Sequence, residues 1–444
     1  MAQRAQRSFS AARTAFPEGT FAVGAGLIVA GLTAYGFQII SFRALSKSDY
    51  TALNGLWVLV FVVAPGMFLP LEQEVSRALA DRQVRGVGGG PVIRRAVIMG
   101  AGLTVLLVAA ALAAGSPLSN ELFHGRSALL ACFAIALVSY ACQHLTRGTL
   151  SGNHRFGPYG LLLGVEGVIR VGPALALWIA GVDDPFAYGL ALAIPPVLSS
   201  VIALRGQRGL LAPGPVAPYS ELSSNLGFLL VGSVLAQALG YAAFLGASLL
   251  ATTSTQREAV ADFIVGFFLA RIPILLFQAV QAALLPKLAG LAGSGRHDDF
   301  RTGLRRLVTV VVAIGALGVV GGFTLGPWAG GILFGEKFTL GHRDLGLLAA
   351  GSGAFILALT LAQALIALMG HARAAVAWIA GILGYLVVTG FGEDLFLRVE
   401  LGYLAGSLVA VAMMSWFLVQ RMRSGVPDSF APVAELIEHE PLEL

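Results

Sequence analysis

Twelve runs of about 18 or more mostly apolar residues divide this 444-residue chain from end to end. A run of that length matches a helix crossing the roughly 30 Å hydrocarbon layer of a bilayer. The runs lie near 20–42, 51–71, 96–114, 127–145, 157–180, 186–204, 225–251, 261–285, 307–325, 345–369, 374–391 and 401–420. Lipid offers no partners to backbone N–H and C=O groups, so each run is expected to be helical. Only 12% of residues are charged, against roughly 25% in an ordinary soluble domain. Little chain remains for a soluble domain. The expectation is an all-α polytopic membrane protein with about twelve transmembrane helices, its core being the bundle itself.

A net charge of +5 does not mark a nucleic-acid partner, because the bases sit between apolar runs and form no aromatic-interleaved patch. They read instead as topology. When alternate connections are assigned to opposite sides, twenty of the 29 Lys and Arg residues fall on the side of the N-terminus and seven on the other. The remaining two, Arg170 and Arg271, stay within the membrane. Positive charge accumulates on the cytoplasmic side, so both termini are expected there, in a cytoplasmic (inner) membrane. Cys132 and Cys142 fall in one run, about 15 Å apart along a helix, too far to bridge.

The stretch Arg205 to Ser224, RGQRGLLAPGPVAPYSELSS, is rich in Gly, Pro and Ser and reads as a cytoplasmic linker. It divides the chain into an N-terminal six-helix bundle (1–204) and a C-terminal one (225–420), followed by a cytoplasmic tail (421–444). SKSDYTALNGLWVLVFVVAP, ending at Pro65, and STQREAVADFIVGFFLARIP, ending at Pro273, each pass from a polar start into an apolar helix interrupted by proline. A parallel repeat about an axis along the membrane normal accounts for that echo. The 56 glycines let helices approach closely.

Charge inside the membrane costs several kcal/mol and is expected to face protein or a wet cavity. Glu166 and Arg170 are four apart and can pair along their helix, which makes that helix insertable. Arg271 has only Phe267, Phe268, Ile274 and Leu275 at helical neighbour positions. It needs a partner from elsewhere, either as a tie to another helix or as an anion-facing group in a cavity. Gln278 and Gln281 share its helix face, and Gln38 and Tyr241 are polar residues of other spans. Arg43 stands at the outer end of the first span, and Asp262 nearer the outer end of the eighth. Glu72 and Glu74 flank the inner end of the second, where interfacial water would solvate them.

No GxxxxGK[ST] motif suggests ATP hydrolysis, no His/Glu spacing suggests a metal, and no outside connection exceeds roughly 20 residues. A cofactor-free membrane protein that is not an enzyme is expected.

Two segments carry a family resemblance. FQIISFRALSKSDYTALNGLWVLV, Phe37 to Val60, is similar to the first hairpin of bacterial polysaccharide-biosynthesis transporters, where an arginine, a leucine and a following tyrosine recur. ARIPILLFQAVQAALLPKLAG resembles the eighth helix of that family, with its arginine-isoleucine-proline turn and a distal proline before a basic loop. The family belongs to the multidrug, oligosaccharidyl-lipid and polysaccharide exporter superfamily.

The resemblance implies two six-helix bundles around a central cavity that opens alternately to either side. Its implied cargo is a polyprenyl-pyrophosphate-linked oligosaccharide or related envelope glycolipid. Arg271 would then be the cationic substrate contact, joined by Arg170, Arg43, Gln278, Gln281, Gln38 and Tyr241. Glu166 and Asp262 would be the places for a coupling ion, and envelope-polysaccharide assembly enzymes the expected partners beside membrane lipids. Drug-exporting relatives rely on membrane carboxylates, and the first span here has none. A cation-coupled multidrug or small-molecule exporter and a non-transporting scaffold of an envelope assembly complex stand as alternatives.

Overall fold

The computed structural model describes residues 20–223, 226–274, 277, 297–335 and 338–424. Among them the regular structure is entirely helical. The first half comprises α1 (Thr20–Ala44), α2 (Lys47–Val84), α3 (Gly90–Ala113), α4 (Ala128–Gly152) and α5 (Phe156–Ile179). It closes with α6 (Pro185–Ala193) and α7 (Pro195–Leu204), one span broken where Pro195 and Pro196 withhold backbone donors. The second half holds α8 (Ser220–Ser223), α9 (Leu226–Gly240), α10 (Ala242–Leu250), α11 (Ser254–Leu269), α12 (His297–Phe334), α13 (His342–Ala367), α14 (His371–Thr389) and α15 (Leu395–Ser424).

Eleven helical stretches among the described residues are long and apolar enough to cross a membrane. The expected run 261–285 is described only through α11, the turn after it and Phe277, so Gln278 and Gln281 lie outside the described residues. So do residues 1–19 and most of the tail. Two helices outrun their apolar cores. Ser46 caps α2 by accepting the amide of Asp49 at 3.1 Å, and the helix then runs 38 residues to Val84. The helix α12 is equally long.

Each half packs mainly on itself: α1 on α5 and α2 on α4 in the first, α12 on α13 and α14 on α15 in the second. Between membrane helices close approach replaces the hydrophobic driving force. Gly26 of α1 and Gly160 of α5 meet so tightly that a Cβ on either would strike the opposite backbone. The halves join chiefly where α2 crosses α9, with Gly66 against Val234 and Ser233 Oγ donating to the Pro65 carbonyl at 3.2 Å.

The segment between the halves is pinned. Arg82 donates to both oxygens of Glu221 at 2.7 and 2.9 Å and to the carbonyls of Gly88 and Pro215. The Gly90 amide donates to the Ala212 carbonyl, and the Arg95 guanidinium lies 3.7 Å from the centre of the Tyr219 ring.

Candidate functional site: a cavity between the halves

A cavity of about 420 Å³ lies between the two halves, walled by α1, α2, α4 and α5 on one side and by α9, α11 and the turn after α11 on the other. Along the helices its wall runs from Gln38, Trp57 and Arg271 to Leu27, Leu69 and Arg147.

Arg271 owes its position to Pro273. A proline has no amide to give the carbonyl four residues back, here that of Leu269, and its ring crowds that oxygen. The helix α11 accordingly ends at Leu269, and a tight turn follows in which the Arg271 amide donates to Phe268 and the Ile274 amide to Arg271. The half-buried side chain emerges at this break. Its Nη1 donates to the Gly240 carbonyl, where α9 stops. A helix C-terminus leaves carbonyls unpaired and carries partial negative charge, so a guanidinium is well matched to it. The rings of Tyr241, Phe267 and Phe355 surround the group at 4.5, 4.9 and 6.0 Å. Arg271 thus ties two helices together, and it also lines the cavity.

Glu166 and Arg170 pair along α5. Glu166 further accepts from Gln143 at 3.0 Å and Tyr140 at 3.4 Å, and Arg170 lies over the rings of Trp57 and Phe61. Both residues line the cavity, as do Gln38 and Tyr241. Gln38 accepts the Tyr50 hydroxyl at 3.0 Å through its Oε1, while its buried Nε2 has no protein partner among the described residues.

Arg43 and Asp262 lie elsewhere, beyond the Gln38 end of the cavity. Arg43 donates to the carbonyls of Ile332 and Leu333 at the end of α12, Nη2 to Leu333 at 2.8 Å. Asp262, only 3% exposed, accepts from Lys47 Nζ at 2.9 Å and from Thr339 at 2.7 Å. Both residues thus join the first half to the second. Their charges are spent on helix-end carbonyls and an ion pair, not on the cavity wall.

A buried cluster at the other end went unrecognised in the sequence. Glu72 and Glu74, expected beside interfacial water, are 6% and 4% exposed. Glycines explain the depth of Glu72. Gly148 and Gly152 bring α4 against α2, where an added Cβ would sit 2.7 Å from the carbonyls of Glu72 and Ser76 respectively. His144, one turn before Gly148, then places Nδ1 2.7 Å from Glu72 Oε2. The other Glu72 oxygen accepts the Tyr159 hydroxyl at 3.3 Å and faces Arg147 Nε at 3.3 Å. Arg147 also donates to Tyr159. The legible signal was Glu72 just past the end of one run, with His144 and Arg147 three apart at the end of another, but no spacing rule connects residues 72 apart in the chain.

No protein-family model matches the chain. An uncharacterized protein of Mycobacterium tuberculosis is 25% identical over 449 residues, spanning 95% of this chain and 98% of its own. A second uncharacterized protein of that organism is 25% identical over 414 residues, spanning 88% and 90%. Among solved structures, a point mutant of the Vibrio cholerae MATE transporter VcmN superposes with a TM-score of 0.67 at 14% identity, over 92% of this chain and 97% of its own. An inward-facing multidrug resistance MATE family transporter of the MOP superfamily superposes with a TM-score of 0.65 at 17% identity, over 92% and 96%. These neighbours are transporters, not enzymes, and the chain has the fold of MATE transporters.

Proposed function

We propose that the protein moves a polyprenyl-pyrophosphate-linked oligosaccharide, or a related envelope glycolipid, across the cytoplasmic membrane by alternating access. The observation that carries this reading is Arg271, a guanidinium held by a helix end and three rings on the wall of a cavity shared by both halves. Arg170 and Arg147 share that wall, with Glu166 as its carboxylate. A pyrophosphate and its sugars cannot cross hydrocarbon unaided. The cavity would enclose this polar part, with guanidinium forks on phosphate oxygens and Gln38 and Tyr241 on further oxygens. The polyprenyl tail would stay in lipid.

Positive charge favours a cytoplasmic position for both termini. The Arg43–Lys47 end then faces outward, and the contacts of Arg43, Lys47 and Asp262 hold that end shut. An inside-negative potential assists outward movement of an anion by about 2.3 kcal/mol per charge per 100 mV. Enzymes that assemble the glycan would be the partners.

A second reading, a multidrug or small-molecule exporter, is favoured by the aromatic part of the wall, including Tyr35, Trp57, Phe61 and Phe268, and by the MATE fold itself. A scaffold has no use for the cavity. Deleting the gene in its host separates the two transport readings. Accumulation of lipid-linked glycan in the inner leaflet with unchanged drug susceptibility supports the flippase; drug sensitivity with normal glycan export contradicts it.

A further inference from the structure

His144 and Glu72 form a buried pair, with Nδ1 and Oε2 2.7 Å apart, yet His144 contributes to the cavity wall. A carboxylate and an imidazole this close share one hydrogen between them, and the imidazole is the side chain that gains or loses a proton near neutral pH. The charged and titratable groups around His144 come from every neighbouring element. On α2 there is Glu72; on α4, Tyr140 and Arg147; on α5, Tyr159, Glu166 and Arg170. Across the cavity stand Tyr241 and Arg271, with Tyr35 on α1.

With His144 neutral, the guanidiniums of Arg147, Arg170 and Arg271 exceed the carboxylates of Glu72 and Glu166 by a single charge. One proton on His144 doubles that excess. We infer that the Glu72–His144 pair is a single-proton site in the cavity wall whose occupancy sets the cavity's affinity for its anionic cargo. The inference rests on the anionic-substrate reading and adds a coupled proton to it, at residues different from Glu166 and Asp262.

Glu166 is poorly suited to the task, because Arg170, Gln143 and Tyr140 already occupy its oxygens. Asp262 lies off the wall in an ion pair. Glu72 holds His144 in place through the 2.7 Å contact, and Arg147 stands beside the pair on the same carboxylate.

Linkage is reciprocal: if the proton tightens anion binding, the anion tightens proton binding by the same factor. The protonation midpoint of His144 in the anion-bound protein then lies above that in the free protein. The gain in affinity is complete below the free-protein midpoint and disappears as pH rises through the bound-protein midpoint.

Sulfate, fully ionised between pH 5.5 and 8, serves as the probe because its own charge does not change. In equilibrium dialysis on the purified full chain, sulfate is expected to bind about tenfold tighter at pH 5.5 than at pH 8. The ratio should fall toward one in His144→Gln, and Arg271→Ala should weaken binding at both pH values. NMR of 13C-histidine-labelled wild-type protein reads the ring itself, and sulfate should raise the His144 midpoint; this holds even where His144→Gln does not fold. Equal affinity at both pH values, or a midpoint that sulfate does not move, overturns the proton linkage alone. Absence of Arg271-dependent binding at either pH overturns the anionic reading and this inference with it.

Discussion

Lys47 Nζ stands 2.9 Å from Asp262 Oδ2, joining the first turn of α2 to the middle of α11 and so one half of the molecule to the other. Asp262 is buried and Lys47 is partly exposed, which sets the two substitutions apart. Lys47→Ala leaves a buried carboxylate with Thr339 as its remaining partner, whereas Asp262→Asn keeps a polar group of the same shape. An ion pair open to solvent on one side contributes on the order of 1 kcal/mol, enough to shift a two-state equilibrium severalfold. Spin labels at Ser48 and Glu258, both exposed and one in each half, should report a longer separation in Lys47→Ala than in wild type, with a smaller change in Asp262→Asn. An unchanged distance distribution in both would mean that the pair does not hold this end closed.

Helix contact within the first half depends on backbone meeting backbone at Gly26 and Gly160. Gly160→Ala puts a methyl against the Ala22 carbonyl, where nothing flexible can yield, and should destabilise by about 1–3 kcal/mol. Gly24→Ala, two residues before Gly26 in α1 and with open space beside it, should be neutral or slightly stabilising. Thermal melting in detergent checks both; equal melting temperatures for the two variants would contradict this packing.

Arg82 is 3% exposed and fastens the segment between the halves through Glu221 and two carbonyls. Removing one partner of a buried pair leaves the other uncompensated, at a cost of roughly 3–5 kcal/mol. Arg82→Ala should therefore release residues 206–219, and limited proteolysis should cut there faster than in wild type. Equal protection would place the restraint elsewhere, for instance on the Gly90–Ala212 hydrogen bond.

Much of this architecture was readable because bilayer thickness imposes a length on every helix. The apolar runs therefore announce themselves. The Glu166–Arg170 pair was readable too, since a four-residue spacing needs no tertiary knowledge. The Arg271 turn followed from Pro273, but its partner did not. Gly240 is 31 residues away, and its carbonyl becomes an acceptor only because α9 ends there. The cluster around Glu72 was misplaced for a related reason. Hydropathy put the end of the second span near residue 71, whereas α2 continues to Val84 and α4 covers it through Gly148 and Gly152. Arg43 and Asp262 were read by their charge, yet only the fold shows that helix-end carbonyls and Lys47 consume that charge.

The central claim is that Arg271 receives the anionic headgroup inside a cavity shared by both halves. Its most direct test is protein-dependent translocation of a fluorescent polyprenyl-pyrophosphoryl sugar in proteoliposomes, comparing wild type, Arg271→Lys and Arg271→Ala at matched insertion. Losing a bidentate charge-assisted contact of about 1.5–3 kcal/mol predicts a rate at least tenfold lower in Arg271→Ala. Arg271→Lys, which keeps the charge but not the fork, should fall between. Translocation at the wild-type rate in Arg271→Ala would contradict the account.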